Sequence, residues 1–275
     1  MARLSAVVAT LALLPATGAL AQQAATSSPG TATVSLAERL ELLVSTYPDT
    51  ISGVDGNQLE LKSGEAIVID DGEEKTHAQR LANADIEDML AQVYPLGFCD
   101  RDRPATNFDP GRIRNEALMK AIYGASASAV RRKLVTVDWF GRRLRVTSAA
   151  GAADQLRKVA RGLEKIDPAH AAVFKPTAGT FNWRRIARTR RLSVHAFAAA
   201  IDLNVKFADY WVWSGGRPGN VPRYRNRVPR AIVEVFERHG FIWGGKWYHF
   251  DTMHFEYRPA LIAIARAAER RGCVR

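Results

Sequence analysis

The chain has 275 residues, 47% of them apolar and 24% charged, with a formal net charge of +11. That apolar content in that length buries one substantial core, or one core and a smaller module, and excludes a disordered tail. The total hides a split: residues 36–100 hold 4 Lys and Arg against 14 Asp and Glu, net −10, while residues 101–275 hold 34 against 14, net +20. Two regions with different surfaces are expected, meeting near "YPLGFCD".

Taken in chain order, residues 1–21 carry one Arg, then the apolar run "AVVATLALL", then Ala19-Leu20-Ala21. This is the pattern of a signal peptide cut after Ala21, and the run is far short of the ~20 residues of a membrane-spanning helix. A periplasmic or secreted protein with no transmembrane segment after cleavage is expected. Residues 22–34, "QQAATSSPGTATV", lack periodicity and read as a flexible linker. Cys99 and Cys273 are the two cysteines, and in an oxidising compartment they are expected to pair, with two free thiols as the alternative. One pair cannot supply the four ligands of a cysteine-type zinc site.

Residues 35–98 form the acidic module. Ser35 with Glu38 makes a capping box ahead of Leu36, Leu40, Leu43 and Val44, which predicts a helix. "GVDGN" followed by the alternating "QLELKSGEAIVID" predicts a hairpin, and Ile86, Met89, Leu90 and Val93 are spaced as a second helix. No catalytic constellation stands out in this segment.

Residues 99–275 mix helix and strand. Leu156, Val159, Ala160, Leu163 and Ile166 form one helical stripe, which is ordinary core. Pro229 and Gly240 frame a helix over "RAIVEVFERH", and Pro259 and Gly272 frame the last one. Between these helices "FIWGGKWYHFDTMHFEY" reads as aromatic-rich extended runs around a Gly-Gly turn.

"SVHAFAAAIDLNV", residues 193–205, places His195 and Asp202 in small, apolar surroundings that need neither. If "AAAIDLNV" is a strand, Asp202 leaves it on the face of Ala200 and Asn204, while Ile201, Leu203 and Val205 take the other. The same alternation in "TMHFEY" puts His254 with Glu256. Two adjacent strands would then present Asp and His to each other, with His195 arriving from the turn before. His, Asp and His with one open position is a catalytic zinc pattern, and Asp251, three residues before His254, is placed to act on a bound water. On the residues alone, a metal site and a set of ordinary buried polar groups both stay open. His77, His170, His239 and His249 take the ordinary reading, with His249 near the rim of the site.

"SVHAFAAAID" resembles the SxHxxGxAxD motif, and "DTMHFE" the [DE]xxH motif, of the M15 family of zinc peptidases. That family includes D-alanyl-D-alanine carboxypeptidases and L-alanyl-D-glutamate endopeptidases. "GTFNWRRI" resembles the arginine-bearing segment upstream, and the resemblance spans about residues 107–260. It implies an α+β catalytic domain whose small antiparallel sheet carries Zn2+ on His195, Asp202 and His254, with Asp251 as base, Arg184 on the substrate and Ser193 as the motif serine. The implied activity is hydrolysis of peptidoglycan stem peptides, carboxypeptidase-like, with endopeptidase cleavage or non-catalytic wall binding as alternatives. Ala198 replaces the motif glycine, at a turn where a positive φ makes a methyl group costly.

The clusters "RRIARTRR" and "RYRNRVPR" have the charge to attract nucleic acid. Behind an export signal, anionic cell-envelope polymers are the polyanion to expect, and no specific nucleic-acid partner is predicted.

Overall fold

The computed structural model describes residues 34–97, 104–221 and 223–268. The expected signal peptide, the linker up to residue 33, both cysteines and Gly272 lie outside the described residues.

Helix α1 (Leu36–Thr46) starts at the expected capping box: Ser35 Oγ accepts the Glu38 amide, and the Glu38 carboxylate accepts that of Ser35. An antiparallel meander follows, β1 (Ile51–Asp55), β2 (Gln58–Leu61) and β3 (Ala66–Val68). Its alternation buries Leu59, Leu61 and Ile67, the face the sequence pattern assigns to the core. Helices α2 (His77–Ala82) and α3 (Ile86–Leu90) come next. The α3 helix stops before Val93, although Ile86, Met89, Leu90 and Val93 are all buried. Asp71, Asp85 and Asp88 surround the Lys75 ammonium at 2.6, 3.0 and 2.8 Å. Burial opposes that charge, yet the three carboxylates hold the ammonium above its ordinary pKa.

The remainder runs through α4 (Glu116–Tyr123), α5 (Ala127–Arg132), the hairpin β4 (Leu134–Trp139) and β5 (Arg142–Thr147), α6 (Ala152–Leu163) and α7 (Ala171–Phe174). Then come β6 (Ala200–Asp202), α8 (Arg230–Arg238), β7 (Phe241–Trp243), β8 (His254–Tyr257) and α9 (Pro259–Ala267). The architecture is α+β, with three small antiparallel sheets where the sequence predicts one that matters. Pro229 is the N-cap of α8 rather than a residue of its first turn, while Pro259 occupies the first turn of α9 as expected. Among the described residues no helix is long and apolar enough to cross a membrane.

The third sheet, in the order β6-β8-β7, positions the site. One face, carrying Ile201, Phe255, Phe241, Trp243 and Tyr257, packs on a core with Leu156 and Val159 of α6 and Ile232 and Phe236 of α8. Phe236 and Phe255 stack with centroids 3.9 Å apart. Behind the opposite face lies a second core, in which Leu43, Ile51, Leu59, Leu90 and Tyr94 meet Tyr123, Phe197, Ile242, Trp247 and Leu261. Side chains of the acidic segment and of the basic remainder thus share one apolar interior. Tyr94 ties the two covalently distant parts further: its hydroxyl donates to Glu237 (2.7 Å) and accepts the Trp243 amide (3.0 Å).

Candidate metal centre

Strands β6 and β8 pair antiparallel with Asp202 directly opposite His254 and Ala200 opposite Glu256. Period-two alternation therefore puts Asp202, His254 and Glu256 on one face, as the sequence pattern predicts. Ahead of β6, residues 194–197 form a single 3-10 turn capped by Ser193, whose hydroxyl accepts the His195 amide at 3.3 Å. The turn ends at Ala198, which is fully buried and left-handed at φ 54°. That backbone reversal lets His195 lie against the first residues of the strand.

The three side chains converge. His195 Nε2 lies 3.1 Å from Asp202 Oδ2 and 3.2 Å from His254 Nδ1, and His254 Nδ1 lies 2.7 Å from Asp202 Oδ1. Each imidazole is fixed from behind. His195 Nδ1 faces the Thr180 carbonyl at 2.8 Å, and His254 Nε2 faces Glu256 Oε1 at 3.0 Å. A carbonyl and a carboxylate only accept, so those nitrogens carry the protons and donate. The other nitrogen of each ring then turns its lone pair toward Asp202.

Two lone pairs and a carboxylate this close repel unless a cation lies between them. A proton is one candidate: burial lowers the His254 pKa, but Asp202 and Glu256 overcome it and push it up to about 10. A metal ion is the other. Donors on a tetrahedral zinc with bonds of 2.0–2.1 Å stand about 3.3 Å apart, close to the separations here. Two neutral imidazoles and one carboxylate suit zinc, and the backing by Thr180 and Glu256 is the support that metal-bound histidines use. The residues fit the group.

Asp251 stands beside this set. Its amide donates to the Gly244 carbonyl at 3.0 Å, and its backbone bridges to Tyr210. A Cβ on Gly244 would meet the Asp251 carbonyl oxygen at 2.5 Å, so the close approach requires glycine there. Asp251 Oδ1 is buried without a hydrogen-bond partner among the described residues. Burial and the Asp202 charge push its pKa up to about 6, against His254, Arg112 and His195.

Arg184 lies on the loop before the His195 turn, exposed, with its carbonyl accepting the Ser193 amide at 3.0 Å. It lines a cavity of about 320 Å³ with Trp183, Arg185 and Lys120. Its charge also reaches the Tyr210 phenol, which burial and Asp251 raise and Arg112 and Arg184 lower. Asn204 turns away from the metal set, donating to the Ala172 carbonyl and accepting the Lys206 amide.

Four contributors carry no signal in the sequence. Thr180 acts through a backbone carbonyl. Arg114 and Arg258 flank Glu256 at 3.4 and 3.5 Å; although burial raises that carboxyl, these charges and His254 hold it down to about 2. Arg112 donates to the His249 carbonyl at 2.9 Å and lies over the Trp247 ring, which also neighbours His254.

A second His, Asp, His group, His77, Asp109 and His249, is equally compact. His249 Nδ1 lies 2.6 Å from Asp109 Oδ2, and His249 Nε2 accepts the Gly219 amide at 3.2 Å. That acceptance puts the ring proton on Nδ1, facing Asp109, and leaves no lone pair for a metal. His77 reaches the pair from the acidic segment by stacking on the His249 ring at 5.6 Å, its Nε2 3.2 Å from Asp109 Oδ2 but without a hydrogen bond. The carboxylate groups around Asp85 are likewise filled, by the Lys75 ammonium.

Residues 187–257 match the M15 peptidase family model described as D-alanyl-D-alanine carboxypeptidase. The match covers His195, Asp202, Asp251 and His254 and begins just after Arg184. No curated protein and no solved structure matches the chain.

Proposed function

With residues 187–257 similar to M15 peptidases, we propose that this protein is a zinc-dependent peptidase that trims peptidoglycan stem peptides, as a D-alanyl-D-alanine carboxypeptidase. One observation carries the reading: two oriented imidazole lone pairs and a carboxylate converge beside a second, buried carboxylate that lacks a partner. A structural polar cluster has no use for Asp251 in that condition, whereas hydrolysis needs a base there.

His195, Asp202 and His254 would hold the ion. When bound, zinc supplies Lewis-acid polarisation of the scissile carbonyl and a water acidified toward pH ~7. Asp251 takes the proton of the attacking water on Oδ1 and returns it to the leaving amine, a role suited to a carboxylate with a pKa of about 6. Gly244 fixes the backbone of that base. Arg184 receives the substrate's terminal carboxylate, for which a guanidinium offers a two-pronged donor. The expected export signal and the +20 charge of residues 101–275 favour an anionic envelope substrate.

Incubation of the purified protein with muropeptides, followed by mass spectrometry, tests the reading. Loss of one terminal alanine is expected. Cleavage after the first alanine of the stem would replace it with the endopeptidase, and intact muropeptides with zinc bound would leave a wall-binding protein.

A further inference from the structure

The chain after β6 runs back along the proposed base. Tyr210 pairs with Asp251 across an isolated antiparallel bridge, in which the Trp211 amide donates to the Phe250 carbonyl and the Thr252 amide to that of Asp209, both at 3.0 Å. Main-chain bonds flank this pair rather than join it, which is the closer antiparallel spacing, with Cα atoms about 4.5 Å apart and both side chains leaving on one side. Tyr210 therefore stands next to Asp251. Its ring meets Trp211 edge-on at 6.1 Å and Trp213 edge-on at 5.5 Å, so two indoles fix it. The root of the loop is tied as well: the Asp209 amide donates to Thr252 Oγ1 at 2.8 Å, and Arg227 binds the Asp209 carboxylate at 3.1 Å.

This aromatic row leads outward from Asp251. Tyr210 is half-buried, while Trp213 is 59% exposed and is the only aromatic side chain so open among the described residues. Turns set its position: its amide donates to the Tyr210 carbonyl, and the Gly215 and Gly216 amides donate to those of Val212 and Trp211, each at 3.0 Å. Val212, 44% exposed, is its one large apolar companion on the loop, so the patch falls far short of the roughly 800 Å² that a protein partner covers. It has the size of a single ring. Ser214 and Arg217, exposed on the same loop, add hydrogen-bonding groups. A pyranose matches that combination, because its C–H face is drawn to the negative face of an aromatic ring while its hydroxyls bond around the edge.

We propose that Trp213, braced by Tyr210, is the stacking platform for a sugar ring carried by the substrate, so that the protein reads the glycan as well as the peptide. This rests on the wall-peptidase reading, which supplies a peptide joined to an amino sugar. The reach agrees. The bridge puts the Tyr210 and Asp251 Cα atoms about 4.5 Å apart, and the turn closed by the Trp213 amide keeps its ends within about 7 Å, so the platform's backbone lies at most about 12 Å from that of the base. Removal of one terminal residue from a five-residue stem leaves four between the cut and the sugar, about 13 Å when extended. The single residue left by cleavage after the first alanine spans only about 3.5 Å.

The test uses the full, zinc-loaded chain and three probes: a muropeptide with its sugars, the same stem peptide without them, and the wall disaccharide without peptide. The wild type should show a KM about five-fold lower for the sugar-bearing peptide than for the free one. In Trp213→Ala that ratio should fall to about one with the kcat ratio unmoved, and Trp213→Tyr should keep most of it. In calorimetric titration the disaccharide should bind the wild type at millimolar concentration and lose that binding in Trp213→Ala, whose exposed site should leave the Tm as it was. Disaccharide binding that is equal in the two proteins, or absent from the wild type, would overturn the platform, while cleavage of either peptide would leave the peptidase reading standing. If neither peptide is cleaved, that reading falls and the titration alone decides the platform. Disaccharide binding that needs Trp213, with equal KM for the two peptides, would overturn its part in substrate recognition. Anionic phospholipid vesicles that hold the wild type but not Trp213→Ala, with no disaccharide bound, would make the indole a membrane contact and overturn the sugar.

Discussion

Asp202 faces His254 across the β6–β8 ladder, with Oδ1 2.7 Å from Nδ1. Strand register, which a one-residue slip would invert, therefore sets the distance between two of the three proposed metal donors. A donor set built on paired strands is held more firmly than one on loops.

Removal of a donor should remove the ion. Metal analysis of the purified protein is expected to find one zinc per chain in the wild type and to find most of it lost in His254→Ala. Full zinc content in that variant would place the ion elsewhere.

Asp251→Asn preserves shape but cannot take a proton. Turnover should fall by about 100-fold or more while zinc stays bound. Asp202→Asn should lose zinc and rate together, so measuring both quantities on both variants separates base from ligand.

Glu256→Gln removes a carboxylate that is 2% exposed and lies against Arg114, Arg258 and His254. Two buried guanidiniums lose their counter-charge, which should cost about 3–5 kcal/mol in urea unfolding. Zinc affinity should drop by about 10- to 100-fold through the loosened imidazole. A variant of wild-type stability would show that water or another group neutralises those arginines.

Ala198 meets two opposed terms. Its left-handed backbone costs about 1 kcal/mol that glycine would relieve, while its buried methyl group contributes about 0.8 kcal/mol that glycine would lose. Ala198→Gly should therefore leave Tm and zinc content nearly unchanged, whereas Ala198→Val, with a branched Cβ in that conformation, should destabilise strongly. Calorimetry of the two variants decides; a tolerated valine would mean that the turn is not held left-handed in solution.

Asp109 supplies a pH dependence. Burial raises its pKa, but His249, His77 and Arg112 hold the carboxyl well below the ordinary carboxylate range. A depressed folded-state pKa contributes stability that is complete above the unfolded carboxylate value and is lost as the pH falls below it. The wild type should thus lose stability as acid is added below about pH 4, and Asp109→Asn should show a shallower loss in that window. Parallel acid titrations of both proteins would refute this.

Much of the centre is legible in the sequence because it rests on periodicity. Asp202, His254 and Glu256 follow the two-residue alternation of strands, and Ser35 with Glu38 follows the geometry of a helix start. The β4–β5 hairpin and helices α2, α4 and α5 do not stand out, since their short runs carry mixed signals that tertiary packing resolves. Arg114 lies 142 residues from Glu256 in the chain, and no local pattern encodes such a pairing. Thr180 contributes a main-chain oxygen that every residue possesses, so its identity tells nothing.

The bond from the Trp243 amide to the Tyr94 hydroxyl has a kinetic consequence. Trp243 belongs to β7, the outer strand beside β8, yet its proton is covered by a side chain from the acidic segment. Deuterium should enter that amide only when the first part of the chain lifts away, so its exchange rate reports the opening of residues that lie about 150 positions upstream. Tyr94→Phe should speed exchange there while leaving the inner strand β8 protected.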